Sequence, residues 1–180
     1  MHVNPTGSIL DVGCGTGALL NELAATFSEC TLAGIDPSPE MLSIARQRLL
    51  TNVELQQGWA EKIPYSSGTF DTVVSCNMFH YIRQPNEALI EMTRVLRTDG
   101  AFAITDWCAD YLACRIFDWY FRLFNAAHFQ TYRAGECRKL LENVETTGIK
   151  IDSYKITWLW GLMTATARKR ATDTERCVGT

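Results

Sequence analysis

Gly13-Cys14-Gly15-Thr16-Gly17 is the segment whose composition speaks most directly of chemistry. It follows a short apolar run, Ser8-Ile9-Leu10-Asp11-Val12. It precedes Ala18-Leu19-Leu20-Asn21-Glu22-Leu23-Ala24, whose apolar residues recur every three to four positions. Strand, glycine turn and helix are expected in that order. Glycines lack a Cβ, so the backbone turns sharply and a ligand approaches it closely. The helix start leaves N–H groups free with partial positive charge, which suits pyrophosphate or carboxylate. Asp36 closes a second apolar run, Thr31 to Ile35, at the spacing of an acid that accepts from two ribose hydroxyls. Ligands of open α/β sheets sit beyond the carboxyl ends of the strands, where Asp11, Asp36, Asn77 and Asp106 fall. The turn alone stays ambiguous. Gly13 to Ala18 also fits a dinucleotide fingerprint ending in alanine, and a tight turn forms without any ligand.

The elements that must hold these residues follow from the rest of the chain. Ser38-Pro39-Glu40 starts a helix running towards Leu49, with Ser38 as N-cap and Pro39 as first helical residue. Val53 to Gln57 reads as a third strand. Phe70 to Cys76 is a fourth, apolar enough to be covered on both faces. A helix over Asn86 to Leu96 stops at Thr98-Asp99-Gly100, and Ala101 to Thr105 is a fifth strand. Strands alternating with helices predict a parallel, doubly wound sheet. An aromatic segment from Asp110 to Ala127 and a helix over Arg133 to Thr146 come next. Ile149 to Thr157 and Leu162 to Arg168 are separated by too short a turn to run parallel, so the sheet is expected to be mixed. The expected domain spans 1–170, with 171–180 as a loose tail.

The chain has 180 residues, 47% hydrophobic and 21% charged, which excludes whole-chain disorder. The net charge of −3 offers nucleic acid no footprint, and Arg168-Lys169-Arg170 reads as a solvated strand end. No apolar run is long enough to span a membrane, and Met1 to Pro5 does not read as a secretory signal. The seven cysteines are scattered and form no Cys-x-x-Cys pair. That pattern predicts reduced thiols in a cytoplasmic protein and no metal site.

Four segments in order resemble the class I S-adenosylmethionine-dependent methyltransferases, above all the ubiquinone/menaquinone-type small-molecule group. They are Ile9 to Gly17, Gly34 to Leu42, Gly58 to Asp71 and Glu87 to Gly100. The resemblance implies a Rossmann-like sheet, mostly parallel with an antiparallel C-terminal strand. It implies S-adenosylmethionine as methyl donor, S-adenosylhomocysteine as product and a small-molecule acceptor. Mapped residue by residue, Gly13, Gly15 and Gly17 pass beside the methionine part, and Asp11 helps fix its ammonium. Asp36 takes the ribose hydroxyls, Pro37 and Met41 pack near the adenine, Ala60 and Glu61 line its edge, and Asn77 faces the methionine moiety and acceptor. Two features depart from the family. Trp59 stands where relatives carry Asp or Asn, so it stacks on the ring or is simply core. About eight residues precede the first strand, where relatives carry helices covering the cofactor; that cover is expected to be short or missing.

In-line methyl transfer from a sulfonium asks the protein mainly to position the acceptor and exclude water. An oxygen or nitrogen acceptor adds the need for a base. His80, Asp106 and His128 are the candidates, each weighed against a packing or capping role. The aromatics from Tyr111 to Phe124 are either core or a homodimer face, or a lid over an apolar acceptor pocket. Two other readings remain: a non-catalytic binder, and an NAD(P)-dependent oxidoreductase, although the chain has no Tyr-x-x-x-Lys.

Overall fold

A seven-stranded sheet with order β3-β2-β1-β4-β5-β7-β6 organises the chain. The computed structural model describes residues 7–48, 53–125 and 128–171. The expected tail therefore falls outside the described residues, apart from Ala171, as do Cys177 and the end of the helix towards Leu49. β1 (Ser8–Val12) pairs parallel with β2 (Thr31–Asp36) on one side and β4 (Phe70–Cys76) on the other. β3 (Glu54–Gln57) extends the sheet beyond β2, and β5 (Leu96–Trp107) runs parallel to β4. The strand order thus reverses between β1 and β4, the place where open α/β sheets hold ligands.

β7 (Gly161–Lys169) lies between β5 and β6 (Thr146–Lys155) and is antiparallel to both. The short loop from β6 to β7 permits no other direction. The mixed sheet expected from the sequence is present.

Side chains alternate across the strands and feed two cores. Leu10, Val12, Ile35, Val73, Phe102 and Ile104 face one side, with Leu89 and Met92 of α3 (Pro85–Val95) and Leu141 of α5 (Ala134–Glu142). Ile9, Leu32, Val74 and Ala103 face the other. They pack with Leu20 and Leu23 of α1 (Ala18–Thr26) and Leu42 of α2 (Pro39–Arg48). Ser38 caps α2 as expected, its Oγ accepting from Met41 N–H at 3.1 Å.

Boundaries differ where chain irregularities intervene. β5 starts directly after α3, because Phe70 pairs with Leu96 while Thr72 pairs with Ala101. The intervening Thr98-Asp99-Gly100 is a bulged excursion within the strand, with Asp99 left-handed at φ 59. β6 likewise begins at Thr146, with a register shift before Lys150. The Arg168-Lys169-Arg170 run is engaged by backbone carbonyls. Arg168 donates to Asp99 O, Lys169 to Leu96 O and Arg170 to Thr146 O.

Phe102 is fully buried at the centre of the sheet. Phe102→Ala should cost about 3–5 kcal/mol, read from urea unfolding. Ile90→Ala, at an exposed position of α3, should change stability by less than about 0.5 kcal/mol.

Candidate functional site

The glycine turn is fastened to β2 by its own backbone. Gly13 and Cys14 N–H both donate to Ile35 O, at 2.8 and 2.9 Å. Gly13 has φ 76, and a Cβ there would run into the Met78 side chain. Gly15 has φ 53, and a Cβ there would meet nothing within 4 Å. Gly13 is therefore needed for packing, whereas Gly15 borders empty space. Gly17 is the N-cap of α1 and closes the turn by donating to Cys14 O. It does not line the cleft described below, because its backbone is turned into the helix.

Asp36 spans the turn and the start of α2. Its Oδ2 accepts from Gly15 N–H at 2.8 Å and its Oδ1 from Ser38 N–H at 2.9 Å. Each oxygen keeps a further lone pair for a hydroxyl. Beneath it lies Asp11, 2% exposed, whose Oδ1 has no hydrogen-bond partner. Burial, with the Asp36 carboxylate close by, pushes the Asp11 carboxyl up to about 7. The same burial and both carboxylates raise the Cys14 thiol to about 12, so it is no nucleophile at neutral pH.

A cleft of about 680 Å³ opens above these groups. Gly13, Gly15, Asp36, Pro37, Met41, Ala60, Glu61 and Asn77 line it, as the sequence reading grouped them. Asp11 sits below its floor. Trp59 is 54% exposed on the rim, which removes the reading of Trp59 as core. The sequence reading missed Met78, Tyr81, Ile82 and Arg83. They belong to a single 3₁₀ turn, Phe79–Tyr81, and its flanks, a stretch too short to carry periodicity. Asn77 starts that stretch in a left-handed conformation at φ 52. Its N–H donates to Thr105 O at 2.8 Å.

The three base candidates come together outside the cleft lining. Asp106 Oδ1 is 2.7 Å from His80 Nδ1, and its Oδ2 accepts from His80 N–H at 2.9 Å. With Nδ1 carrying the proton towards Asp106, Nε2 of His80 is left as the acceptor. The His128 ring lies 5.2 Å from that of His80, and its Nε2 is 2.8 Å from Asp118 Oδ1. Asp118, absent from the sequence reading, lies on α4 (Leu112–Phe124) amid aromatics that masked it. Trp107 stacks on His80 at 5.0 Å. All three candidates are buried, at 3% for His80, 2% for Asp106 and 5% for His128.

Residues 9–100 match the family model of the methyltransferase domain. The chain belongs to the S-adenosylmethionine-dependent methyltransferases. It is 34% identical over 99 residues to a fatty-acid O-methyltransferase of Mycolicibacterium smegmatis, covering 54% of this chain and 36% of that protein. It is 32% identical over 111 residues to a ubiquinone/menaquinone biosynthesis C-methyltransferase of Citrifermentans bemidjiense, covering 58% of this chain and 47% of that protein. The matches thus span less than half the length of these curated relatives. In fold, it superposes on the YcgJ protein of Bacillus subtilis with TM-score 0.76 at 17% identity, covering 95% of each chain. It also superposes on Haemonchus contortus phosphoethanolamine N-methyltransferase 2, solved with S-adenosyl-L-methionine, with TM-score 0.79 at 15% identity, covering 94% of this chain and 50% of that one. The antiparallel β7 agrees with this class I fold and departs from the all-parallel sheet of a dinucleotide oxidoreductase.

The residues present fit the methyl donor of this family. The orphaned Asp11 Oδ1 suits an ammonium, Asp36 has acceptor capacity left for a diol, and the space at Gly15 admits a ligand against the backbone. Two outcomes follow. Gly15→Leu meets no steric clash but carries the strain of a side chain at φ 53, so it should lose about 1–2 kcal/mol of stability in urea unfolding and, where folded, lose S-adenosylhomocysteine binding in a calorimetric titration. Asp11 stays protonated in the folded chain at pH values where the unfolded chain has lost its proton. Its stabilising contribution is full below the ordinary 3.8 and is lost as pH rises towards about 7. Denaturant unfolding of Asp11→Asn should therefore show a flatter pH profile between about 4 and 7 and greater stability than the parent at pH 8.

Proposed function

We propose that this chain binds S-adenosylmethionine in the cleft between β1, β2 and β4 and transfers its methyl group to a small-molecule acceptor. The observation that carries this reading is a cleft lined by Asp36 and the open Gly15 backbone, with the unpartnered, buried carboxyl of Asp11 next to them. Asp11 fixes the ammonium, and Asp36 accepts from the ribose hydroxyls while its backbone donors hold it in place. Pro37 and Met41 pack against the adenine, Ala60 and Glu61 border its edge, and Trp59 covers the ring by stacking. Asn77 faces the methionine part and the acceptor. The bound donor supplies an already activated methyl on a sulfonium, so the protein's task is alignment and exclusion of water.

The acceptor side favours an oxygen or nitrogen nucleophile. Asp106 holds His80 through Nδ1 and leaves Nε2 as the accepting atom; because His80 is buried next to Tyr81 of the cleft lining, it serves as base once an acceptor opens the aromatic packing over it. His128, held by Asp118, borders the same cluster, and the aromatics around it suit an apolar acceptor body. The fatty-acid O-methyltransferase relative carries a name in keeping with an oxygen acceptor on an apolar body, whereas the ubiquinone/menaquinone relative is named a C-methyltransferase.

The test is methyl transfer from labelled S-adenosylmethionine to a panel of hydroxylated, carboxylated and amino acceptors. Asp36→Ala should weaken donor binding by about 1.5–3 kcal/mol. His80→Gln should lower kcat about 100-fold or more at unchanged donor affinity. Equal turnover by His80→Gln removes His80 as base. Donor binding with no transfer to any acceptor favours the non-catalytic reading.

A further inference from the structure

The helix α4 is apolar on both of its long faces. Its inner face carries Cys114, Phe117, Asp118 and Phe121, which meet the sheet end, Trp160 and the His128 cluster. Its outer face carries Leu112, Ile116, Trp119, Tyr120, Leu123 and Phe124, spaced as one continuous helical stripe. Their exposures run from 48% at Tyr120 to 71% at Phe124. Solvated helices keep such a stripe polar, and the sequence reading of this segment as ordinary core fails for this face.

We infer that the outer face of α4 is the two-fold interface with a second copy of this chain. The six side chains leave on the order of 700 Å² uncovered, close to the roughly 800 Å² per partner of a standard interface. That exceeds the patch a typical monomer tolerates, which is about 300–600 Å². Arg115 and Arg122 flank the stripe and none of its six positions is charged, so pairing strands no ion. Asp118, which pairs with Arg122 and His128, stays on the inner side. The centre of the stripe is self-complementary. An antiparallel pair centred between Trp119 and Tyr120 sets Ile116 against Leu123 of the partner subunit, and the reverse contact repeats it, as a two-fold axis requires. Trp158 and Ile156, at 78% and 59% exposure on the β6–β7 loop, enlarge the apolar surface. That loop is joined to the start of α4 by Ala113 N–H donating to Leu159 O at 3.0 Å. A paired α4 would also hold its inner face, with Asp118 and Phe121, firmly against the acceptor-side cluster.

Sedimentation equilibrium of the full chain at micromolar concentration tests this. The parent should sediment at twice the 20.3 kDa chain mass. Ile116→Glu and Leu123→Glu, both at solvent-exposed positions, should raise the dimer dissociation constant at least about 100-fold with an unchanged far-UV circular dichroism spectrum. As a second readout, Ile116→Cys combined with Leu123→Cys should give a covalent dimer on mild oxidation above the parent background. Either single cysteine should not, because like positions lie too far apart along antiparallel helices. A parent that sediments at one chain mass overturns the inference, as does a dimer unmoved by both glutamates. A monomer that floats with phosphatidylglycerol-containing vesicles also overturns it, assigning the face to lipid.

Discussion

Two carboxylates, Asp11 and Asp36, converge beneath one glycine turn, and the rest of the site is arranged around that crowding. Asp36 is held by two backbone N–H groups, one from the turn and one from the start of α2. Asp11 has no such support on Oδ1, and burial beside a second acid raises its proton affinity towards neutrality. A sequence selected for stability alone would replace that aspartate with an apolar residue or an asparagine. Its retention in a nearly solvent-free position makes sense when a cationic ligand group arrives there. A cation arriving there would draw the Asp11 carboxyl back towards its charged form and relieve the cost of its burial.

The sheet explains why these groups meet. Asp11 is the penultimate residue of β1 and Asp36 the last of β2, and the parallel register sets Asp11 beside Gly34 and Asp36 beside Gln57, towards the same carboxyl end of the sheet. The strand order reverses between β1 and β4, and Gly13, Gly15 and Asn77 line the cleft that opens there. Antiparallel β7 then brings β6 and its loop against α4, so the His128–Asp118 pair and the aromatics around it come from late sequence, whereas His80 and the whole cleft lining, from Gly13 to Arg83, come from early sequence. The matched family segment, residues 9–100, contains all the residues that line the cleft.

That division also marks what was legible. Local rules specified β1, the turn, β2, the Ser38 cap, β4 and the β6–β7 hairpin, because each has a pattern or a cap of its own. Asp11, Asp36 and the glycines could be placed at strand ends from sequence alone. The bulge at Thr98-Asp99-Gly100 could not, since glycine after aspartate reads equally as a turn between elements. Met78, Tyr81 and Arg83 were hidden because a single 3₁₀ turn has no period. Asp118 was hidden because its partner, His128, is brought to it by the fold of the segment after α4 rather than by any spacing in the chain. The exposure of the α4 stripe was unreadable for the same reason: periodicity shows that a helix has an apolar face, not whether anything covers it.

The central claim is that the cleft over Asp11 and Asp36 is a built site for the sulfonium cofactor of this family. Calorimetric titration of the chain with S-adenosylhomocysteine, repeated from pH 5.5 to 8.5 with NADH in a parallel cell, tests it most directly. The account predicts micromolar binding of S-adenosylhomocysteine alone, weakening as pH falls through about 7 and Asp11 takes up its proton. Binding of NADH, or affinity for S-adenosylhomocysteine that is equal across that range, would contradict it.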